Sequence, residues 1–563
     1  MATKGVVDIL LIGSGASGGP FAWYLSQVKG IRIMCLEQGD WDRPAADEQD
    51  WTRVELFQDG TWKRLLKPPR QPGANYFAGG YPYDKTESTW EPILGHHVGG
   101  AMVHYSALWT RLRPADFLQR TLTGVGDDWP IRYEDLAPWY DFNDNFVGIT
   151  GVPGNPTWPD RKVNLLPSPG WPPAPRPKNL FERSADRLGW HYWAGGGERA
   201  IISVPFKGRD PKNFREAKNR ADLIHWPEAI KNGVVLKTRS TVREIIINKQ
   251  GVADGAMYYD ADGHLHEQKA RVVVVACNGI GTPRLLLNSK SNRFPNGLAN
   301  SSGLVGKGLM AHPSSGVTGE FENEDTSRDF GGTGGVTIDE FADPKRRGDA
   351  VGGFNLSTGG FSGPVAVALG TPAESILTMI PARLEQGPRP TGNITPWGRL
   401  HHAAFQQRFR RTAAVSVGCA DLADDANRVE LHPTLTDDFG IPAPKLIYKR
   451  SENTEKLFAY GLDRAKELLE VAGATKIVTN TVRRDSVGRG AAPGHYMGTA
   501  RMGTDPSRSV VDKYGRAHDV KNLFVICGAV FTTSGIGGPT STIQANALRI
   551  ADYVMNNLRQ VLT

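Results

Sequence analysis

The sequence has few cysteines and little excess charge. Its 563 residues include only four cysteines, at 35, 277, 419 and 527, and no Cys-x-x-Cys pair. Iron–sulfur clusters and structural zinc sites need grouped thiolates, so the sequence disfavours both, and we expect no metal. Lys and Arg number 66 against 59 Asp and Glu, a net charge of +7. The basic residues form no concentrated stripe, which argues against a nucleic-acid partner.

Long apolar runs are also lacking. One of the longest, Val272–Cys277, is far shorter than the ~20 residues that span a bilayer, so no membrane span is expected. The first residues lack the basic start, the longer apolar region and the cleavage site of a secretory signal. Scattered cysteines suit a reducing compartment. The sequence therefore predicts a cytoplasmic protein, with export alongside a partner subunit left open.

Short apolar runs divide the chain into five segments. Nearly continuous apolarity at 6–12, 272–277 and 522–527 is typical of strands in a parallel sheet that is covered on both faces. We therefore expect one α/β domain from residues 1–150, 231–312 and 486–563. The segments 151–230 and 313–485 are rich in Pro or Gly, with β-like runs and a predicted helix at Glu455–Ala472. They are candidates for a second domain, inserted between the pieces of the first.

A glycine-rich turn follows the first predicted strand. The turn Gly13–Gly18 (GSGASG) precedes a predicted helix and a second strand that ends at Glu37. In such a βαβ unit the glycines allow a tight turn, close approach of the backbone to a pyrophosphate, and helix packing. The phosphates face free N–H groups at the helix start. A carboxylate at Glu37 can bind ribose hydroxyls, which favours FAD or NAD over NADP; the alternative is a glycine-rich packing turn.

His495 is the histidine whose surroundings suggest chemistry. It is one of 13 histidines, and a hydrogen-bonding role in a loop is the alternative. Gly494 and Gly498 flank it, which lets backbone and substrate approach closely. An imidazole has a pKa near the working pH and can act as a general base.

Several separated blocks together carry a family resemblance. They are the Gly13–Gly18 turn with Glu37, and the segments 98–104 (VGGAMVH), 273–288, 495–499 (HYMGT) and 522–549. Over nearly its whole length the chain resembles the glucose–methanol–choline (GMC) oxidoreductases, closest to bacterial sugar and polyol dehydrogenases and pyranose-oxidase-like enzymes. The resemblance implies FAD-dependent oxidation of a hydroxyl group on a sugar, polyol or related alcohol. It also implies a Rossmann-like FAD-binding domain and a substrate domain (151–230 and 313–485) built on an antiparallel sheet with helices.

The resemblance implies a set of cofactor-binding positions. Thr540 and Ser541 are expected to cap the last helix, whose N-terminus would point at the flavin. His104 resembles the histidine that is covalently attached to FAD in pyranose oxidases; the alternative is a histidine packed against the flavin. The cofactor-binding positions are Gly13, Gly15, Ala16, Ser17, Gly18, Glu37, Gly99, Gly100, His104, Val242, Cys277, Gly528, Ala529, Pro539 and Thr540.

The resemblance implies that His495 is the catalytic base, which takes the hydroxyl proton as a hydride goes to flavin N5. The family's second catalytic His or Asn is replaced by Gly538. Among His104, Thr540 and Asn546 as substitutes, we predict Asn546. A non-redox lyase on the flavin scaffold and the flavin subunit of a larger electron-transfer complex stay open as alternatives. Oxygen or an electron carrier is the acceptor, and a small subunit, a cytochrome subunit or a homo-oligomer stays open as the assembly.

Overall fold

The computed structural model describes most of the chain, and its described strands form three sheets. The described residues are 5–41, 81–90, 92–103, 105–159, 161–168, 177–195, 197–211, 217–326, 335–346, 348–359, 401–480 and 494–562. The strands β1 to β16 are, in chain order, Val6–Ile12, Ile33–Leu36, Asp84–Ser88, Trp193–Ala194, Val235–Lys237, Thr241–Ile247, Ala253–Tyr259, Leu265–Val275, Ser314–Glu320, Val336–Ile338, Phe354–Gly359, Thr412–Cys419, Arg428–Thr436, Pro442–Tyr448, Lys476–Asn480 and Leu523–Val525.

Helices of very different lengths connect these strands. The helices α1 to α11 are Gly18–Leu25, Gln119–Thr123, Tyr133–Val147, Leu180–Leu188, Ala221–Ile224, Trp226–Lys231, Asn278–Asn288, His401–Arg408, Glu452–Val471, Thr540–Asn556 and Leu558–Val561. Short 3₁₀ helices lie at Gly100–Val103, Pro114–Leu118, Glu340–Ala342, Pro344–Arg346 and Gly528–Val530.

The largest sheet contains the first strand of the chain. Its order is β5-β2-β1-β8-β7-β6, and β16 also pairs with β8. β1 runs parallel to β2 and β8. Alternate side chains of β1 enter two different apolar clusters: Leu10 and Ile12 pack in one, Ile9 and Leu11 in the other. Both faces of the strand are therefore covered, which explains why it is apolar at every position except Asp8.

The strand predicted at Val272–Cys277 is the buried end of a longer strand. β8 begins at Leu265 and pairs antiparallel with β7. The two strands meet at a turn in which Gly263 has a φ of +82°, a conformation that favours glycine. Asp262-Gly263 is also a typical hairpin turn signal in the sequence, and the structure forms that hairpin.

Helix α7 begins earlier than the sequence indicates. We expect helical structure from Arg284, but the helix starts at Asn278 and contains Pro283. A proline inside a helix leaves the carbonyl four residues earlier without its usual donor. Here that carbonyl belongs to Gly279, and it accepts a hydrogen bond from the Thr499 hydroxyl at 2.8 Å. The contact from the distant Thr499 makes the proline tolerable.

The second sheet is antiparallel and is covered by the long helix α9. Its order is β15-β9-β12-β11-β10-β4. Leu457, Phe458 and Leu468 of α9 pack with apolar residues of these strands. The helix begins at Glu452, three residues before the predicted start, because the Ser451 hydroxyl accepts from the Thr454 N–H and caps it. The third sheet has the order β13-β14-β3.

The predicted fold class is confirmed: a mostly parallel sheet with helices combines with an antiparallel sheet under helices. The five-segment division into two domains stays a prediction. All four cysteines are free thiols. No helix that the structure describes combines the length and apolar composition of a membrane-spanning segment.

Candidate active site

The glycine turn near the start of the chain and His495 near its end open onto one cavity of about 420 Å³. Most of the predicted site residues line it: Gly13, Gly15, Ala16, Ser17, Glu37, Gly100, Val242, Cys277, His495, Gly528, Pro539 and Thr540. Gly18, Gly99, Ala529 and Asn546 do not line the cavity. His104 lies outside the described residues. The functional roles of all these residues stay predictions, but the fold brings most of them to one wall.

The turn between β1 and α1 requires glycines for steric reasons. Gly13 has a φ of +98°, and a Cβ there would lie 2.7 Å from the carbonyl oxygen of Ala276. A Cβ on Gly18 would overlap the carbonyl oxygen of Gly13. A Cβ on Gly100 would lie 2.9 Å from the Cα of Gly15, so two glycine loops meet at the cavity. The N–H groups of Gly19 and Phe21 already donate to the carbonyls of Gly15 and Ser17. The N–H groups that suit a phosphate are therefore those of the turn that leads into α1.

Glu37 holds the glycine turn beside the cavity. One carboxylate oxygen accepts from the backbone N–H of Ser14 at 2.9 Å and from the Ser14 hydroxyl at 2.7 Å. The other oxygen accepts from the backbone N–H of Gly39 at 2.8 Å. Glu37 is buried yet lines the cavity, so it presents a carboxylate to any ligand at the end of β2. This position suits a ribose hydroxyl.

The start of helix α10 faces the cavity without a side-chain cap. The helix begins at Thr540, and Pro539 occupies the N-cap without a capping hydrogen bond. The expected cap from the Thr540 and Ser541 hydroxyls is therefore wrong, because both residues lie inside the first turn. The Ser541 hydroxyl is fully buried and makes no hydrogen bond within the described part of the chain. Pro539, Thr540 and Ile543 line the cavity, so the positive end of the helix can stabilise negative charge there.

His495 is paired with a second histidine that the sequence did not single out. Its Nδ1 lies 2.7 Å from Nδ1 of His312. Burial, together with the neighbouring His312, lowers the pKa of His495 to about 3. Burial also lowers the pKa of His312. An antiparallel bridge between Met310 and Met497 brings the two segments together. The contact joins residues 183 positions apart, and no local pattern announces it.

The structure gives a steric reason for the glycine at 538. A Cβ there would lie only 3.2 Å from the Cβ of Leu108, which itself lines the cavity. Leu108 thus takes up part of the space that a longer side chain at position 538 would need. Asn546, the predicted substitute, is fully buried, and its oxygen accepts from Nε and Nη2 of Arg549 at 3.2 and 3.0 Å. This geometry gives Asn546 a contact within its own helix and does not support its predicted catalytic role.

Two further polar side chains of the cavity wall were missed by the sequence reasoning. Both ring nitrogens of His96 and the Tyr81 hydroxyl are buried without a hydrogen bond from the described residues. The two rings pack at 5.0 Å, and both line the cavity. Burial lowers the pKa of His96 to about 3 and raises that of Tyr81 to about 12. Buried polar atoms without partners are costly, so these atoms fit a ligand that brings hydrogen-bonding groups of its own.

The chain is similar to several known proteins over most of its length. Two family models described as GMC oxidoreductase match residues 210–314 and 423–547. The chain is 35% identical over 570 residues to 2-methyl-1,2-propanediol dehydrogenase of Mycolicibacterium austroafricanum, with 99% of this chain and 96% of the relative covered. It is 28% identical over 581 residues to the fructose dehydrogenase large subunit of Gluconobacter japonicus, with 98% of each chain covered. The crystal structure of pyridoxine 4-oxidase from Mesorbium loti shares the fold, with a TM-score of 0.65 and 16% identity over 98% of this chain and 99% of that chain.

Proposed function

Because the chain belongs to the GMC oxidoreductase family, we propose that it oxidises a hydroxyl group of a sugar or polyol to a carbonyl with His495 as the general base. Its class is that of the family: an FAD-dependent oxidoreductase that acts on alcohol groups. One observation carries the finer proposal. His495 and the Gly13–Gly18 turn contribute to the same cavity although they lie at opposite ends of the chain.

The cavity wall offers a partner for each part of FAD. The N–H groups of the glycine turn that leads into α1 would bind the pyrophosphate, and the Glu37 carboxylate would bind the adenosine ribose. The uncapped start of α10 would face the flavin ring, where its dipole favours the reduced, more negative state. When bound, FAD supplies an acceptor that takes a hydride at N5. A covalent link through His104 stays a prediction.

His495 can accept the hydroxyl proton at neutral pH because its ring is neutral, although its pKa lies below the near-neutral value expected from the sequence and makes it a weaker base. With a pKa of about 3, the ring is unprotonated at neutral pH and has a lone pair available. Its Nδ1 contacts His312, and no described residue forms a hydrogen bond with its Nε2. In the proposed step the O–H bond of the substrate breaks and the proton moves to Nε2 while a hydride leaves the same carbon. The alcohol thereby loses two electrons and becomes a carbonyl compound.

The names of the relatives support a small polyol or a sugar as substrate. One is a dehydrogenase of 2-methyl-1,2-propanediol and another a fructose dehydrogenase subunit. The second name also supports a second candidate: this chain works as the flavin-bearing subunit of a larger electron-transfer complex. Purification of the tagged chain from its native host tests this second candidate, because a stoichiometric small or cytochrome subunit would then copurify.

The free cysteines of the chain support the cytoplasm as its compartment.

Anaerobic mixing of the purified yellow protein with a panel of diols, sugars and aryl alcohols tests the main proposal. We expect at least one hydroxyl compound to bleach the flavin absorbance, and its methyl ether, which has no hydroxyl proton, to leave it unchanged. Admission of air then separates an oxidase, which recolours, from a dehydrogenase, which needs an added carrier. Turnover of an alcohol without bleaching would favour a lyase, and a panel without any bleaching would contradict the proposal.

A further inference from the structure

The pair His312 and His495 has a geometry that fixes where the protons lie. The two Nδ1 atoms are 2.7 Å apart, and the rings are nearly perpendicular, at 87°. On its far side, Nε2 of His312 lies 3.0 Å from two backbone carbonyl oxygens, those of Ser534 and Gly535. Carbonyl oxygens only accept hydrogen bonds, so Nε2 of His312 must carry a proton and donate it.

The proton on Nε2 determines the rest of the chain of hydrogen bonds. Because burial lowers the pKa of His312, its ring is neutral at neutral pH and its Nδ1 is an acceptor. The hydrogen bond between the two Nδ1 atoms then requires a proton on Nδ1 of His495. His495 is also neutral, with a pKa of about 3, so its Nε2 bears the lone pair. The opposite assignment would set a lone pair of His312 against two carbonyl oxygens.

We propose that His312 is the positioning residue of this site: it accepts the hydrogen bond of His495 Nδ1–H and thereby leaves Nε2 of His495 free to take the proton of the substrate hydroxyl. This inference rests on the proposed function, in which His495 is the base. The partner also restricts rotation of the His495 ring, because the hydrogen bond fixes one edge while the other borders the cavity.

The same chain of hydrogen bonds, from His495 through His312 to the backbone carbonyls, stabilises the product of the proton transfer. Once Nε2 has taken the hydroxyl proton, His495 is an imidazolium, and its Nδ1–H becomes a charged donor to His312, which strengthens the bond. The carbonyl oxygens of Ser534 and Gly535 accept from Nε2–H of His312 and stabilise positive charge on that ring. Asp116 also favours a protonated His312, and its carboxylate is paired with the Arg113 guanidinium at 2.7 Å. Both histidine rings are neutral before the reaction, because burial lowers the pKa of each.

The tautomer can be measured without any substrate. In the holoenzyme labelled with [¹⁵N]histidine, two-bond ¹⁵N–¹H spectra at pH 7.5 distinguish a proton on Nδ1 from a proton on Nε2. The His495 signals are identified by their loss in His495→Ala. We expect Nδ1–H on His495 and Nε2–H on His312. A His495 ring with its proton on Nε2 would overturn the proposal.

Two substitutions at His312 test the consequence for the reaction. In His312→Asn the side-chain oxygen lies near the position of Nδ1 and can still accept from His495, whereas His312→Leu removes the acceptor at similar volume. We expect His312→Leu to slow anaerobic bleaching by at least about tenfold, and His312→Asn to stay within about threefold of the unmodified enzyme. The Nδ1–H signal of His495 should persist in the Asn variant and exchange between tautomers in the Leu variant.

The outcomes separate this inference from the proposed function. A Leu variant that keeps its FAD spectrum and bleaches at the full rate would overturn the positioning role. So would an Asn variant that retains Nδ1–H on His495 but reacts as slowly as the Leu variant. If no alcohol bleaches even the unmodified enzyme, the proposed function fails. The tautomer measurement needs no substrate, so it still tests the hydrogen bond between His312 and His495.

Discussion

Acidification is a sensitive test of the base that the structure implies. Burial, together with the neighbouring His312, lowers the pKa of His495 to about 3. An unperturbed imidazole with a pKa near 6.5 would be only ~1 % neutral at pH 4.5. With a pKa of about 3 the ring stays almost entirely neutral at that pH. Between pH 7.5 and 4.5 we therefore expect the bleaching rate at low substrate to fall less than about twofold, not ~100-fold.

A pH jump in an anaerobic stopped-flow instrument measures the bleaching rate at acidic pH before the protein unfolds. The holoenzyme is kept at pH 7.5 and mixed with substrate in acidic buffer, and a return to pH 7.5 must restore the full rate. Asp421, whose pKa burial raises to about 6, accepts from the N–H of Ala311 beside His312. The profile of Asp421→Asn therefore serves as a control. An acid limb centred near pH 6.5 that persists in this variant would refute the reasoning.

Three further predictions follow from single contacts. Buried His225 has a pKa of about 3 in the folded protein and ~6.5 in the unfolded chain, so the free energy of unfolding decreases as the pH falls below 6.5. In urea unfolding, His225→Phe should reduce this decrease between pH 7.5 and pH 5.5 by about 1 kcal/mol. In Gly18→Ala the new Cβ would overlap the Gly13 carbonyl oxygen, and the FAD content measured by absorbance should fall at least about tenfold. An unchanged FAD content would contradict the role of the Gly13–Gly18 turn in FAD binding. Glu37→Gln should weaken FAD binding by about tenfold or more in titrations of the deflavinated protein, because a neutral amide is a weaker acceptor.

The sequence predicts the first βαβ unit well because its signals are local. β1 is apolar at every position except Asp8, since both faces are covered. The spacing of Gly13 and Gly18 reflects a contact within the turn, because a Cβ on Gly18 would overlap the carbonyl oxygen of Gly13. The position of Glu37 is also predicted locally, because this residue directly follows the next apolar run. Local signals also predict the α9 helix, although its capping residue Ser451 was missed.

The rest of the site depends on contacts between distant segments. His312 meets His495 because an isolated bridge between Met310 and Met497 joins the two segments, and a single histidine before a proline gives no spacing signal. His96 was missed because its unpartnered nitrogens are visible only once the cavity is formed. The error at Thr540 arose from choosing the hydroxyl residues as caps, when Pro539 takes that position.

The most direct test of the central claim is substrate-dependent bleaching in His495→Ala. His266→Ala, on the β7–β8 hairpin and paired with Asp260 at 2.6 Å, provides the matched control away from the cavity. The account predicts that His495→Ala retains FAD and that its bleaching slows by roughly 10²–10⁴, while His266→Ala reacts like the unmodified enzyme. A His495→Ala protein that is fully loaded with FAD and bleaches at the unmodified rate would contradict the account.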